Sequence, residues 1–197
     1  MEVLLLMPEP KDREQAIIAA AGRMFALHGY SQARVEDIAQ AAGVGKGTVY
    51  EYFSSKQAMF ERVVEAGMSQ YMEALAVQIQ ADLSPLEKLA GITLLHLEFV
   101  TQYQNLANII IANPAIMSPH RVRLRKICQQ AQEMVVGVME QGRKEGLFRA
   151  VDPLLATQSF FGILSSVGVS QLVQERERSP KTVARQVMDL IGQGLVK

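Results

Sequence analysis

Tryptophan is absent from this chain, cysteine occurs once, and the charged side chains cancel to a formal net charge of zero. A single thiol, Cys128, can neither close an intrachain disulfide nor build a cysteine-based zinc cluster, which makes a reducing, cytoplasmic setting the expectation. Cys128 itself reads as a small buried apolar residue. The 20 basic and 20 acidic residues leave no global positive field for a polyanion, and the isoelectric point is ≈ 6.8. Residues 1–60 repeat the balance, with Arg13, Arg23, Arg34, Lys46 and Lys56 set against Asp12, Glu14, Glu36, Asp37 and Glu51. Any nucleic-acid contact must therefore come from a local site. The early apolar run at residues 3–7 is too short for a membrane span and lacks the basic leader of a secretory signal, so residues 1–9 read as a flexible tail and no membrane partner is expected. There is no internal repeat and no Gly/Ser-rich linker. His28, His96 and His120 lie far apart without a metal-ligand or triad pattern, and His120 is too far along one helix from Cys128 to act as its base. The reading is no catalytic residue, no metal and no cofactor.

What the chain does have is 49% apolar residues over 197 positions, enough for a sizeable core. Four of its seven prolines follow a good capping residue: Ser84-Pro85, Ser118-Pro119, Asp152-Pro153 and Ser179-Pro180. Each pair reads as an N-cap, whose oxygen accepts an orphan backbone N–H, followed by a proline at the first helical position, where its missing donor is not needed. Glu87 completes a capping box with Ser84, and the spacing predicts the same for Ser54 and Gln57. Pro114 reads as a stop after residues 109–112. Apolar spacing is helical throughout: Ile17, Ala20, Ala21, Met24 and His28 share one face of a first helix from about Pro10 to His28. Gly29, Gly43 and Gly146 read as C′ glycines that end helices. Residues 119–144 suit one helix of roughly 39 Å. The fold class is all-α with about nine helices, divided as a tail at 1–9, a head at 10–54 and a body at 55–197.

Residues 34–60 run RVEDIAQAAGVGKGTVYEYFSSKQAMF. Val35, Ile38, Ala39 and Ala42 make an apolar stripe over two turns. Gly43 closes that short helix, Val44 points inward, and Gly45 opens a second short helix with Val49, Tyr52 and Phe53. Two short helices around a glycine turn form a helix-turn-helix, whose second helix fits the major groove of DNA. With Phe25, Gly29 and Tyr30 before it, this segment resembles the head of the tetracycline-repressor-like (TetR) family. Asp37-Ile38-Ala39, Ala42-Gly43-Val44, Gly47-Thr48-Val49-Tyr50, Tyr52-Phe53 and Ser55-Lys56 stand at the family's motif positions, in order and in register over roughly residues 12 to 62. The resemblance implies a homodimer that binds a palindromic operator and is released by a small apolar effector, either a fatty acyl-coenzyme A or a lipophilic drug-like compound. It implies DNA contacts at Arg34, Val35, Gly45, Lys46, Gly47, Thr48, Tyr50, Tyr52 and Lys56. Lys46 would reach a guanine edge, Gly47 would let the backbone approach, and Thr48 would offer a hydroxyl to phosphate and a methyl to thymine. Lys56 would hold a phosphate at the start of the fourth helix. Val35 also reads as core with Ile38, Val49 and Phe53, and Tyr52 fits either core or a phosphate contact. Ala33 and Arg34 replace the family's usual small hydroxyl residues, which removes a capping oxygen, and Gly45 stands where serine or alanine is commoner.

In the body, Met72, Leu97, Tyr103, Gln104, Asn108 and Met134 are the candidate effector contacts, each with ordinary core packing as its rival reading. The basic run Arg121, Arg123, Arg125 and Lys126 is either a solvated face or a receiver for an anionic head group. The body loosely resembles TetR-type regulators that sense fatty acyl-coenzyme A. Residues 152–175 are apolar nearly all round, so they need cover on both sides. The resemblance implies a four-helix dimer interface with Phe161, Ser165, Gly168, Leu172, Val187 and Ile191, against burial in their own body. The competing overall reading is a ligand-binding or scaffold protein without specific DNA binding.

Overall fold

The computed structural model describes residues 12–103, 121–173 and 178–196, and the tail expected at residues 1–9 lies outside that set. Among the described residues it holds eight helices: α1 Arg13–Gln32, α2 Val35–Ala41, α3 Lys46–Tyr52, α4 Lys56–Gln80, α5 Pro85–Gln102, α6 Arg121–Lys144, α7 Pro153–Val173 and α8 Pro180–Leu195. The all-α expectation stands, with eight described helices against about nine foreseen. The sole β pairing among the described residues is an isolated antiparallel bridge between Phe148 and Val196.

The helix starts follow the capping logic closely. Ser84 and Glu87 form a reciprocal box, with Ser84 N–H donating to the Glu87 carboxylate at 2.9 Å and Glu87 N–H to Ser84 Oγ at 3.4 Å. Asp152 Oδ1 accepts from Leu154 N–H at 2.8 Å, and Ser179 Oγ accepts from Thr182 N–H at 3.2 Å. The Ser118-Pro119 start lies outside the described residues. Two starts differ from expectation. α1 begins at Arg13 rather than near Pro10, with Asp12 as its N-cap accepting from Gln15 N–H at 2.9 Å. α4 is capped by Ser55, which accepts from Ala58 N–H at 3.0 Å, so the box expected from Ser54 and Gln57 is displaced by one residue. Gln57 instead donates to Glu61 one turn on.

Gly29 does more than end a helix. At φ 74° it breaks α1, and one further turn runs on to Gln32 before the chain leaves through Ala33. His28, expected on the buried face, is exposed, and the α1 core is Ile17, Ile18, Ala19, Ala20, Ala21 and Phe25. Gly43 and Gly146 adopt φ 68° and 73° after α2 and α6, as C′ positions require.

The described residues divide into two compact units, with the division inside α4 at Ser69/Gln70 and near the end of α5 at Thr101/Gln102. In the first, Phe25, Tyr30 and Phe60 form a triangle of rings with centroids 5.3–5.7 Å apart, beside Ile38, Val49, Phe53 and Met59. Phe60 stands edge-on to both other rings, and such pairs add roughly 0.5–1.5 kcal/mol each to the burial of the rings. In the second, Leu75, Leu89, Ile92, Leu97, Val135, Phe148, Phe160 and Leu164 are fully buried. Phe148 lies across Gly142, where any Cβ would overlap its ring. The Arg149 backbone N–H then donates to the Leu195 carbonyl at 2.9 Å, and its guanidinium donates to the Val196 and Gln193 carbonyls, tying the α6–α7 turn to the end of α8. Cys128, expected to be buried, is exposed on α6, although partial desolvation pushes its thiol pKa up.

Candidate functional site

The glycine turn between α2 and α3 is closed by backbone bonds alone: Gly43 N–H reaches the Gln40 carbonyl at 3.1 Å, and Val44 N–H reaches Ala39 at 3.0 Å. α3 then rests on the core through Val49, while Phe53 is buried just past its end. With Val49 pointing inward, a helix of 3.6 residues per turn turns Gly47 to the opposite side and Tyr50 to the flank, and Lys46, at the first position of the helix, is exposed as they are. Tyr50 is 47% and Tyr52 46% exposed, so Tyr52 is a surface ring rather than core. Thr48 is half-buried.

Gly45 and Gly47 have open space where a Cβ would stand, and neither needs a positive φ. Nothing among the described residues therefore requires glycine at Gly47, although glycine in a helix costs roughly 1 kcal/mol relative to alanine. Arg34 is the extended N-cap of α2 and makes no side-chain capping bond, which is the consequence foreseen from the missing hydroxyl. Val35 is buried, so its side chain is core and only its backbone N–H remains for any contact outside the chain.

Lys46 is not idle. Its ammonium donates to Glu36 Oε1 on α2, and it stands 5.9 Å from the Tyr50 ring centroid. The hydrogen bond lowers the Glu36 pKa and raises that of Lys46, and Coulomb attraction acts in the same direction. In the sequence Glu36 stands out only as one of the acidic residues that balance the charge. The two residues are ten apart across a non-helical turn, so neither periodicity nor motif marks them as partners.

Lys56 does different work from that expected. Its Nζ donates to the backbone carbonyls of Tyr30 at 2.8 Å, Ala33 at 3.1 Å and Ser31 at 3.3 Å, and it sits 4.7 Å from the Tyr30 ring centroid. An ammonium has three donors. All three are spent on the carbonyls that the Gly29 kink leaves at the end of α1, so this lysine binds α4 to α1 instead of presenting a free hydrogen-bond donor to phosphate.

Of the effector candidates, Leu97 is buried in the core of the second unit, with Met72 and Met134 partly buried against it. Tyr103 belongs to the first unit, where its ring covers Gly67. Gln104 and Asn108 lie outside the described residues, as does the side chain of Arg121, while Arg123, Arg125 and Lys126 are exposed on α6. A polar pair that the sequence did not flag stands in the second unit: Tyr71 Oη is 3.3 Å from His96 Nδ1. An open groove of about 820 Å³ between the start of α5 and α8 is lined by Leu86, Ala90, Met188 and Val196 among others, and includes none of the candidate residues.

The interface candidates also separate. Val187 and Ile191 are buried in the chain's own core, and Gly168 admits the methyls of Val100 within 3.3–3.4 Å of its Cβ position. Phe161 is half-buried against Phe160 and His96, Ser165 is exposed, and the Leu172 side chain is not described. On the same two helices Leu154, Leu155 at 60%, Ile163 and Val169 of α7 and Leu190 at 69% of α8 are left uncovered, beside the exposed Ser165.

A short helix after a glycine turn, held on the core by Val49 and carrying an exposed lysine and two exposed tyrosines, defines a helix-turn-helix DNA-binding regulator. Residues 17–63 match the family described as "Bacterial regulatory proteins, tetR family", and residues 82–195 match "Tetracyclin repressor-like, C-terminal domain". The chain belongs to the TetR family. It is 25% identical over 193 residues to a fatty acid metabolism regulator protein of Bacillus subtilis, covering 96% of this chain and 98% of that one. It is 27% identical over 141 residues to the transcriptional repressor KstR2 of Mycobacterium tuberculosis, covering 70% of each. Among solved structures, the regulator FadR of Bacillus subtilis in complex with stearoyl-CoA superposes with a TM-score of 0.69 at 26% identity, covering 91% of this chain and 97% of that one.

Proposed function

We propose that the chain is a dimeric repressor whose α3 reads operator DNA and whose release is triggered by an acyl-chain effector, with residues 10–54 as the reading head and 55–197 as the sensing and dimerising body. The observation that carries the DNA contact is the outer face of α3. Lys46, Gly47 and Tyr50 are exposed, and no internal packing explains a glycine between a lysine and a threonine on so short a helix. A helix lying in the major groove explains it, because a side chain at Gly47 would hold the backbone away from the bases. Arg34, Thr48 and Tyr52 flank that face.

Two heads must meet half-sites roughly 34 Å apart, so the functional unit is a pair. The uncovered stripe on α7, continued by Leu190 on α8, is the surface that a second copy would cover, since an exposed apolar face of this kind calls for a partner. Leu155→Glu is expected to give a monomer in sedimentation experiments. A variant that remains fully dimeric would rule this surface out.

The effector class follows from relatives named for fatty acid metabolism and from a neighbour that holds stearoyl-CoA, together with the exposed Arg123, Arg125 and Lys126 on α6, whose charge suits a phosphorylated head group. The test is fluorescence anisotropy on DNA from around the protein's own gene, against scrambled duplex, across a salt series and with palmitoyl-coenzyme A. Specific binding with a steep salt slope, abolished by Lys46→Ala and weakened ~5- to 150-fold by the ester, is the expected outcome. Equal weak binding to both duplexes would refute the operator function, and operator binding indifferent to the ester would refute the effector class.

A further inference from the structure

Among the described residues, one buried side-chain nitrogen or oxygen has no hydrogen-bond partner: His96 Nε2. Its other ring nitrogen, Nδ1, faces Tyr71 Oη at 3.3 Å. The described surroundings are chiefly aromatic and apolar, with the Cys128 thiol close enough to Tyr71 to act on it electrostatically. Tyr71 stands edge-on to His96 with centroids 6.0 Å apart, Phe161 stands edge-on at 6.3 Å, and Phe99 packs on Tyr71 at 5.0 Å. These residues come from α4, α5 and α7, all within the second unit.

The proton positions follow from the bonding inventory. A buried phenol O–H needs an acceptor. Among the described residues the hydrogen-bond contact of Tyr71 Oη is the His96 ring, so the phenol donates to Nδ1 and the imidazole carries its own proton on Nε2. Burial alone pulls the His96 pKa down to about 4, which keeps the ring neutral under ordinary conditions. Burial also pushes the Tyr71 pKa up, which keeps the phenol protonated. The result is a neutral N–H donor, oriented by a neighbour, with no acceptor among the described residues. A buried donor left unsatisfied is destabilising, and a histidine here performs no packing task that an aromatic hydrocarbon would not perform as well.

We propose that His96 Nε2–H is the polar anchor of the effector site and bonds a neutral acceptor oxygen, a carbonyl, on an otherwise apolar ligand, with Tyr71 as the positioning residue. A neutral donor among aromatic rings selects against a carboxylate or phosphate at this point, because among the described residues no cation is placed beside it to offset desolvation of the anion. The charged part of an amphiphilic ligand would therefore lie elsewhere. Met72 and Met134, partly buried against the same core, are flexible enough to repack around an inserted chain. The inference rests on the apolar effector proposed above, but it does not require that effector to be a coenzyme A ester.

The test uses the full chain and two matched pairs of probes: palmitoyl-coenzyme A with its carbonyl-free thioether S-hexadecyl-coenzyme A, and methyl undecyl ketone with tridecane. Each carbonyl probe is expected to bind the wild-type chain about tenfold more tightly than its partner, the worth of one well-made buried hydrogen bond. His96→Phe should erase that preference while leaving the carbonyl-free probes unchanged, and Tyr71→Phe should reduce it in part. Nitrogen NMR of the free chain, which needs no ligand and no variant, should find His96 protonated on Nε2. If the ketone pair behaves as stated and the ester fails to bind, the coenzyme A reading falls and the anchor stands. A proton on Nδ1, absence of any carbonyl preference, or equal losses for both members of a pair in His96→Phe would each overturn the anchor.

Discussion

Replacing Lys56 by methionine separates its two roles, because the stem length is kept and only the ammonium is lost. Three hydrogen bonds go with it, at 2.8, 3.1 and 3.3 Å to the carbonyls of Tyr30, Ala33 and Ser31. The shorter two are part-buried and the third is exposed, so about 1 kcal/mol is assigned to each of the first two and little to the last. The cation over the Tyr30 ring at 4.7 Å adds roughly 0.5–1 kcal/mol. The sum is about 2–3 kcal/mol, which for a chain of this length lowers the melting temperature by roughly 5–10 °C. Scanning calorimetry measures that directly, and the same variant is then titrated with operator DNA well below its transition. The slope of log affinity against log salt should be nearly unchanged, since an ammonium already bonded to three carbonyls gives up no counterion of its own. An unaltered melting temperature accompanied by a slope shallower by about 0.9, the signature of one lost phosphate contact, would refute the reasoning.

Glu36→Gln removes the carboxylate that holds Lys46 and that faces the polyanion, so duplex affinity should rise roughly two- to tenfold, with a steeper salt slope by anisotropy. Unchanged affinity would mean that Lys46 is not on the DNA side. Gly142→Ala places a methyl inside the Phe148 ring and should cost about 1–3 kcal/mol in urea unfolding, partly recovered by Phe148→Leu. The pH dependence of stability has a definite sign at His96. Its folded pKa of about 4 lies below the ordinary 6.5, so the unfolded chain binds the extra proton. Stability is therefore fully present above pH ~6.5 and falls as pH drops toward ~4, by up to roughly 3 kcal/mol. His96→Phe should flatten that part of the profile in urea titrations at several pH values.

Much of the architecture was legible because local rules wrote it. A serine or aspartate before proline announces a helix start through one side-chain acceptor and one missing donor, and Ser84, Asp152 and Ser179 behave that way without reference to the rest of the chain. The glycines at 43 and 146 are legible for the same reason, since a positive φ is a property of one residue. The outward position of Gly47 on α3 follows from a period of 3.6 once Val49 is taken as core. Where competition between neighbours decided the outcome, the sequence was weaker: Ser55 rather than Ser54 caps α4, and Asp12 defines the start of α1.

The order and register of the motifs, the all-helical class and the membership of the TetR family were thus determined by the sequence itself, through interactions that span four residues or fewer. Only the tertiary structure decided what Lys56 holds, which carboxylate Lys46 faces, and that Val187 and Ile191 turn inward while Leu155 and Leu190 turn out. It alone brought His96 of α5 against Tyr71 of α4. These pairings join residues ten to twenty-six positions apart, or depend on which side of a helix that is apolar on nearly every side its neighbours cover. Helical periodicity carries no information about either, because it says which residues share a face and not what that face will meet.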